Sequence, residues 1–142
     1  MGRIVVGVDG SQASVRALAW AVAEAERRQD DLEAIITWQY PYMGSAGFAP
    51  VPLFDPDKLA ASAAAQLDQA IEAAIEREDE RSRVARRVIE GSPAASLVEA
   101  ATGADLLVVG SRGHGGLVGT LLGSVSYQCL HHARCPVVVV RP

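Results

Sequence analysis

The sequence predicts one α/β domain, a five-stranded parallel sheet with helices on both faces. Three observations carry that expectation. Short runs rich in valine and isoleucine alternate along the chain with longer stretches of helical period. Nearly every residue of most short runs is apolar, as in strands covered on both sides. Two of the runs open directly into glycine-bearing turns, at Asp9-Gly10-Ser11 and from Gly110 onward.

The first strand is Arg3–Val8. Ser11 in the turn that follows is placed to cap a helix with the stripe Val15, Leu18, Ala19, Val22 and Ala25. Glu33–Trp38 is the second strand. A glycine- and proline-punctuated loop runs from Pro41 to Pro56 and carries Tyr42, Phe48 and Phe54. It exceeds the usual connection of about 4–6 residues, which favours a role as lid or partner surface over a merely long connection. A long helix is expected over 57–80, with Ala60, Ala63, Ala64, Leu67, Ala70, Ile71, Ala74 and Ile75 on one face. The third strand spans 82–90. Ser92 followed by Pro93 marks a short helix ending near Thr102-Gly103. The fourth strand is 105–109, the next helix 124–132, and the fifth strand 136–140.

At 142 residues the chain suits a single domain over 1–142, and 49% hydrophobic with 21% charged residues is ordinary for a soluble globular protein. No continuous apolar stretch approaches the roughly 20 residues that cross a bilayer, and the N-terminus has no signal-peptide core. A cytoplasmic protein with no membrane partner is therefore expected. The net charge of −4 argues against a nucleic-acid partner, and the mixed acidic and basic run from Glu76 to Arg87 reads as a solvated surface. Cys129 and Cys135, with His131 and His132 between them, invite a zinc reading. The spacing lacks the order of a structural tetrahedral site, and Cys129 lies at helical spacing from Val125. Both cysteines are expected as small core residues.

The stretch from Gly110 to Ser124 is the most informative part of the chain. Glycines let backbone N–H groups approach a bulky anion, and a helix opening at Ser124 and Ser126 offers unpaired donors and a positive dipole end. Strand, glycine loop, hydroxyl and helix together predict a phosphate cradle. A Walker A loop is excluded, because the only lysine, Lys58, lies outside it. A dinucleotide fingerprint fails as well, since Val118 takes the third glycine position counted from Gly113. What remains is Gly110-x2-Gly113-x9-Gly123-Ser124, together with Gly7-Val8-Asp9-Gly10-Ser11, Gly91-Ser92-Pro93-Ala94 and the terminal run His132 to Val140. In that order, from Arg3 to Arg141, these motifs resemble the ATP-binding branch of the universal stress protein family.

The resemblance implies a Rossmann-like sheet of the adenine nucleotide alpha hydrolase type, ordered 3-2-1-4-5. Strands one and four would then flank the switch point, where open α/β sheets bind ligands, and the Asp9 turn would face the Gly110 loop. Gly110 and Gly113 would pass under ribose and phosphates. Gly123, Ser124 and Ser126, with Val125 between the two serines, would supply donors to the β- and γ-phosphates. Arg112 and His114 are the polar side chains nearest the loop, each a phosphate contact or a solvent-facing residue. By resemblance Asp9 lies beside the adenosine or helps hold Mg²⁺, and the Thr37 main chain meets the adenine edge.

An ATP-binding regulator of the stress response follows, with at most slow hydrolysis, because only Asp9 and His114 are candidate bases. A cyclic AMP-binding module would share the adenine contacts. An ATP-cleaving adenylyl-transfer enzyme is the rival of another class, but Asp9-Gly10-Ser11-Gln12-Ala13-Ser14 poorly matches its serine- and glycine-rich pyrophosphate loop. A phospho-receiver needs a late lysine, which is missing. In the implied order the apolar, β-branched run Val137–Val140 is a sheet edge, so a homodimer is expected.

Overall fold

The computed structural model describes residues 1–40, 55–113 and 122–142. His114 and nearly all of the 41–56 loop lie outside the described residues. Five strands form one parallel sheet: β1 (Arg3–Val8), β2 (Asp31–Trp38), β3 (Val84–Glu90), β4 (Leu106–Gly110) and β5 (Val137–Val140). Their order is β3-β2-β1-β4-β5, as expected. β1 is the central strand. Its Ile4 sits in register with Leu32 of β2 on one side and Leu106 of β4 on the other.

Successive strand residues point to opposite faces, so the apolar strands supply two cores. On the first face Ile4, Val6, Leu32, Ala34, Ile36 and Val108 pack under α1 (Gln12–Arg28) and α2 (Pro56–Ala74). On the second, Val5, Ile35, Leu107 and Val109 pack under α4 (Pro93–Ala100) and α5 (Ser124–His132). Burying one such side chain stabilises the fold by about 1.5–3 kcal/mol.

Ser11 caps α1 as expected, its hydroxyl accepting from the Ser14 N–H at 3.2 Å. The buried stripe differs from the expected one. Ala17, Leu18, Ala21 and Ala25 face the sheet, whereas Val15 and Val22 are half-buried and Ala19 is exposed. Alanines let the helix backbone lie close to the strands, and the valines pack at the margin. Bulk pointed to the wrong residues, because closeness of approach decides this interface.

The expected helix over 57–80 is two helices. α2 stops at Ala74, Ile75 turns extended (φ −129°, ψ 119°) and is buried, and a short α3 (Glu78–Arg81) follows. Arg81 fills the joint, donating from Nε to the Ile75 carbonyl at 2.6 Å and from Nη2 to that of Glu72 at 3.4 Å. The break also places Glu78, Asp79 and Glu80 in a first turn, where the helix dipole favours acids. In one continuous helix they would crowd its negative end. At the start of α4, Ser92 holds the cap position without a side-chain cap bond, and Pro93 is the first helical residue.

The two edges of the sheet differ. At the β3 edge Arg86 pairs with Asp68 at 2.9 Å and Arg87 approaches Glu33 at 3.8 Å. At the other edge β5 carries only valines, each half-buried. Val138 and Val140 pack on the first face, Val137 and Val139 on the second.

Candidate functional site

A cavity of about 340 Å³ opens at the carboxyl ends of β1, β2 and β4. Asp9 and Thr37 border it from the ends of β1 and β2, and Gly110, Arg112 and Gly113 from the end of β4. Gly123, Ser124, Val125 and Ser126 close it at the start of α5. Every described residue that the sequence assigned to the nucleotide site therefore borders one cavity. The adjacency of β1 and β4 is what brings them there.

On the β1 side a local network fixes Asp9. Its Oδ1 accepts from the Ser11 N–H at 2.8 Å, and its own N–H donates to the Ser14 hydroxyl at 3.3 Å. The buried Ser14 hydroxyl donates in turn to the Ser11 carbonyl at 2.9 Å. Oδ2 faces the opposite lip, where a Cβ built on Gly113 would lie 2.5 Å from it. Glycine at 113 eases the passage of the β4 loop past that carboxylate. Gly110 is more strictly constrained, because a Cβ there would come within 2.8 Å of the Ala13 backbone, which cannot turn aside as a side chain can.

On the β4 side Ser111 is the anchor. Its N–H donates to the Val140 carbonyl at 2.9 Å, and its carbonyl accepts from the Gly123 N–H at 2.6 Å. The buried Ser126 hydroxyl lies 3.1 Å from the Ser111 carbonyl and 3.0 Å from that of Gly123, and donates within this pair. Ser126 thus ties the loop to α5, where the sequence suggested an open phosphate donor. Ser124, by contrast, is exposed. Gly123 occupies the cap position of α5, and no side chain caps the helix. The N–H donors of its first turn are therefore offered toward the cavity rim. The Ser111 hydroxyl is buried and has no hydrogen-bond partner, an orphaned polar atom beside the loop.

Strand residues such as Ile35, Ile36 and Val109 also line the cavity, and so do residues the sequence did not assign to the site: Ser14, Gln66 of α2, and Pro93 and Leu97 of α4. Ser14 had a signal, a hydroxyl one helical turn from the Ser11 cap and beside the buried alanines. The others reach the cavity only through the packing of α2 and α4, which no local pattern announces. Cys129 and Cys135 fall elsewhere, in the core of the second face. Burial pushes the Cys129 thiol up to about 11, with Cys135 adding to the shift. At pH 8 only about one thiol in a thousand would be ionised. Native protein should therefore resist alkylation at Cys129, and rapid labelling detected by mass spectrometry would contradict this burial.

A family model described as the universal stress protein family matches residues 1–141. The chain belongs to that family. A curated universal stress protein of Mycobacterium tuberculosis is 39% identical over 138 residues, which is 97% of this chain and 45% of that protein. The chain thus spans about half the length of the curated relatives it matches. The solved universal stress protein UspA from Lactobacillus plantarum superposes with a TM-score of 0.75 at 26% identity, covering 99% of this chain and 97% of its own. A universal stress protein solved in complex with cAMP superposes at 0.68 with 31% identity, covering 98% and 96%. This universal stress protein domain has no described helix long and apolar enough to cross a membrane.

Proposed function

We propose that the cavity binds ATP with Mg²⁺ and that the domain is a nucleotide-dependent regulator of the stress response. One observation carries this reading: an uncapped helix start, a glycine loop and a carboxylate converge on a single cavity. The helix start and loop suit an anion. The Asp9 carboxylate at the other lip is a hard oxygen ligand, which suits Mg²⁺ bound to the phosphates. Polyphosphate plus Mg²⁺ suits the two lips. Among the described residues Asp9 is the one candidate base at the cavity, which favours at most slow hydrolysis.

Asp9→Ala is expected to lower ATP affinity or to abolish its dependence on Mg²⁺, with little change in the stability of the nucleotide-free protein. The α1 cap bond is made by the Ser11 hydroxyl, and the substitution removes only the Asp9 bond to the Ser11 N–H outside it. Collapse of stability in thermal unfolding would make Asp9 a structural residue and remove it from the site.

The relative solved with cAMP supports a second reading, cyclic AMP at the same adenine pocket. Mass spectrometry of natively purified protein is expected to detect bound ATP, and calorimetry to show tighter binding of ATP with Mg²⁺ than of cyclic AMP. The reverse order would favour the second reading, and no binding of either would sink both. Self-association through β5 completes the proposal. The unguarded valine edge favours pairing with a second copy about a two-fold axis.

A further inference from the structure

We infer that Gln66 selects the base, favouring adenine over guanine. This rests on the nucleotide reading above and deepens it. The cavity is divided along its length. The glycine loop and the start of α5 line the end near β4, and Ile35, Ile36 and Thr37 line the end near β2. β2 and β4 flank β1, so the two ends lie two strand spacings apart, about 10 Å. Phosphates at the β4 end direct the base toward the β2 end, where Pro93 and Leu97 add apolar surface for a flat ring. α2 packs over β2 and β3, and from it Gln66 reaches this end.

A carboxamide presents one acceptor and one donor side by side. The N6–N7 edge of adenine presents the complementary donor and acceptor, so two hydrogen bonds form. The O6–N7 edge of guanine presents two acceptors, and the carboxamide oxygen then faces one of them unpaired. Gln66 is exposed on a helix, so its replacement by alanine leaves the fold intact.

The test measures ATP and GTP affinity by calorimetry in the wild-type protein, Gln66→Ala and Gln66→Glu. The ATP-to-GTP affinity ratio is expected to fall about tenfold in Gln66→Ala. In Gln66→Glu the ratio should stay above that of Gln66→Ala, because an acceptor-only carboxylate still accepts from adenine N6–H and meets only acceptors on the O6–N7 edge of guanine. The added charge weakens both nucleotides alike and cancels in the ratio. An unchanged ratio in Gln66→Ala overturns the assignment. An equal loss for both nucleotides also overturns it, by placing Gln66 on ribose or phosphate. A wild-type protein that binds neither nucleotide brings down the underlying reading, and this inference with it.

Discussion

Gly123→Val is expected to abolish ATP binding while destabilising the nucleotide-free protein by less than about 1 kcal/mol. The backbone at Gly123 is extended (φ −75°, ψ 169°), a conformation valine accepts without strain. A Cβ there would lie 3.3 Å from the Ser111 carbonyl oxygen and 3.5 Å from the Arg112 Cα, so that carbonyl must give by a few tenths of an ångström. The two methyl groups beyond it have no such room on the loop side and must project toward the phosphate end of the cavity. A hydrogen bond to a charged group contributes about 1.5–3 kcal/mol, so losing two lowers affinity by about 100-fold or more. Calorimetry with ATP beside thermal unfolding checks both halves. Unchanged affinity would remove the glycine loop from the site.

Val139→Pro is expected to convert a homodimer into a folded monomer. The carbonyls of Pro136 and Val140 accept from the Leu107 and Ser111 N–H groups of the adjoining strand and loop. By the alternation of a parallel strand, the N–H and C=O groups of Val137 and Val139 face the open edge. Proline at Val139 removes one of those outward donors and leaves the internal ladder intact, the position in which an edge strand tolerates it. A charged residue at Val138 or Val139 should dissociate the dimer too, but each side chain also packs on one face of its own sheet, so proline separates pairing from folding more cleanly. Sedimentation at micromolar concentration reads the outcome. A wild-type monomer would refute the pairing.

The alternation of strands and helices, the Ser11 cap, the turn at Gly110–Gly113 and the helix start at Ser124 were legible because each is written in neighbouring residues. A valine run, a hydroxyl before a helix and glycines at fixed spacing have local physical meanings. The buried face of α1 was not legible, since periodicity favours Val15 and Val22 while the sheet accepts Ala17 and Ala21. The break at Ile75 was hidden inside an unbroken helical period, and the Arg81 contacts that sustain it exist only after folding. Ser126 shows the same limit at the site. A hydroxyl at a helix start reads as a ligand donor until packing turns it toward the Ser111 carbonyl. Gln66 and Leu97 enter the cavity by tertiary packing alone.

With the proposed β5 pairing, the contrast between the two sheet edges would set the combining number of the domain. Strand pairing can continue wherever backbone groups are open, and a sheet open at both sides polymerises. Here the β3 side presents Arg86 and Arg87, which another strand could cover only by desolvating their charges. The β5 side presents no such barrier. A molecule that pairs along one side only would have a valence of one, and growth would end when two copies meet. Removing the arginine charges from β3 would raise the valence to two and open a route from pairs to fibres.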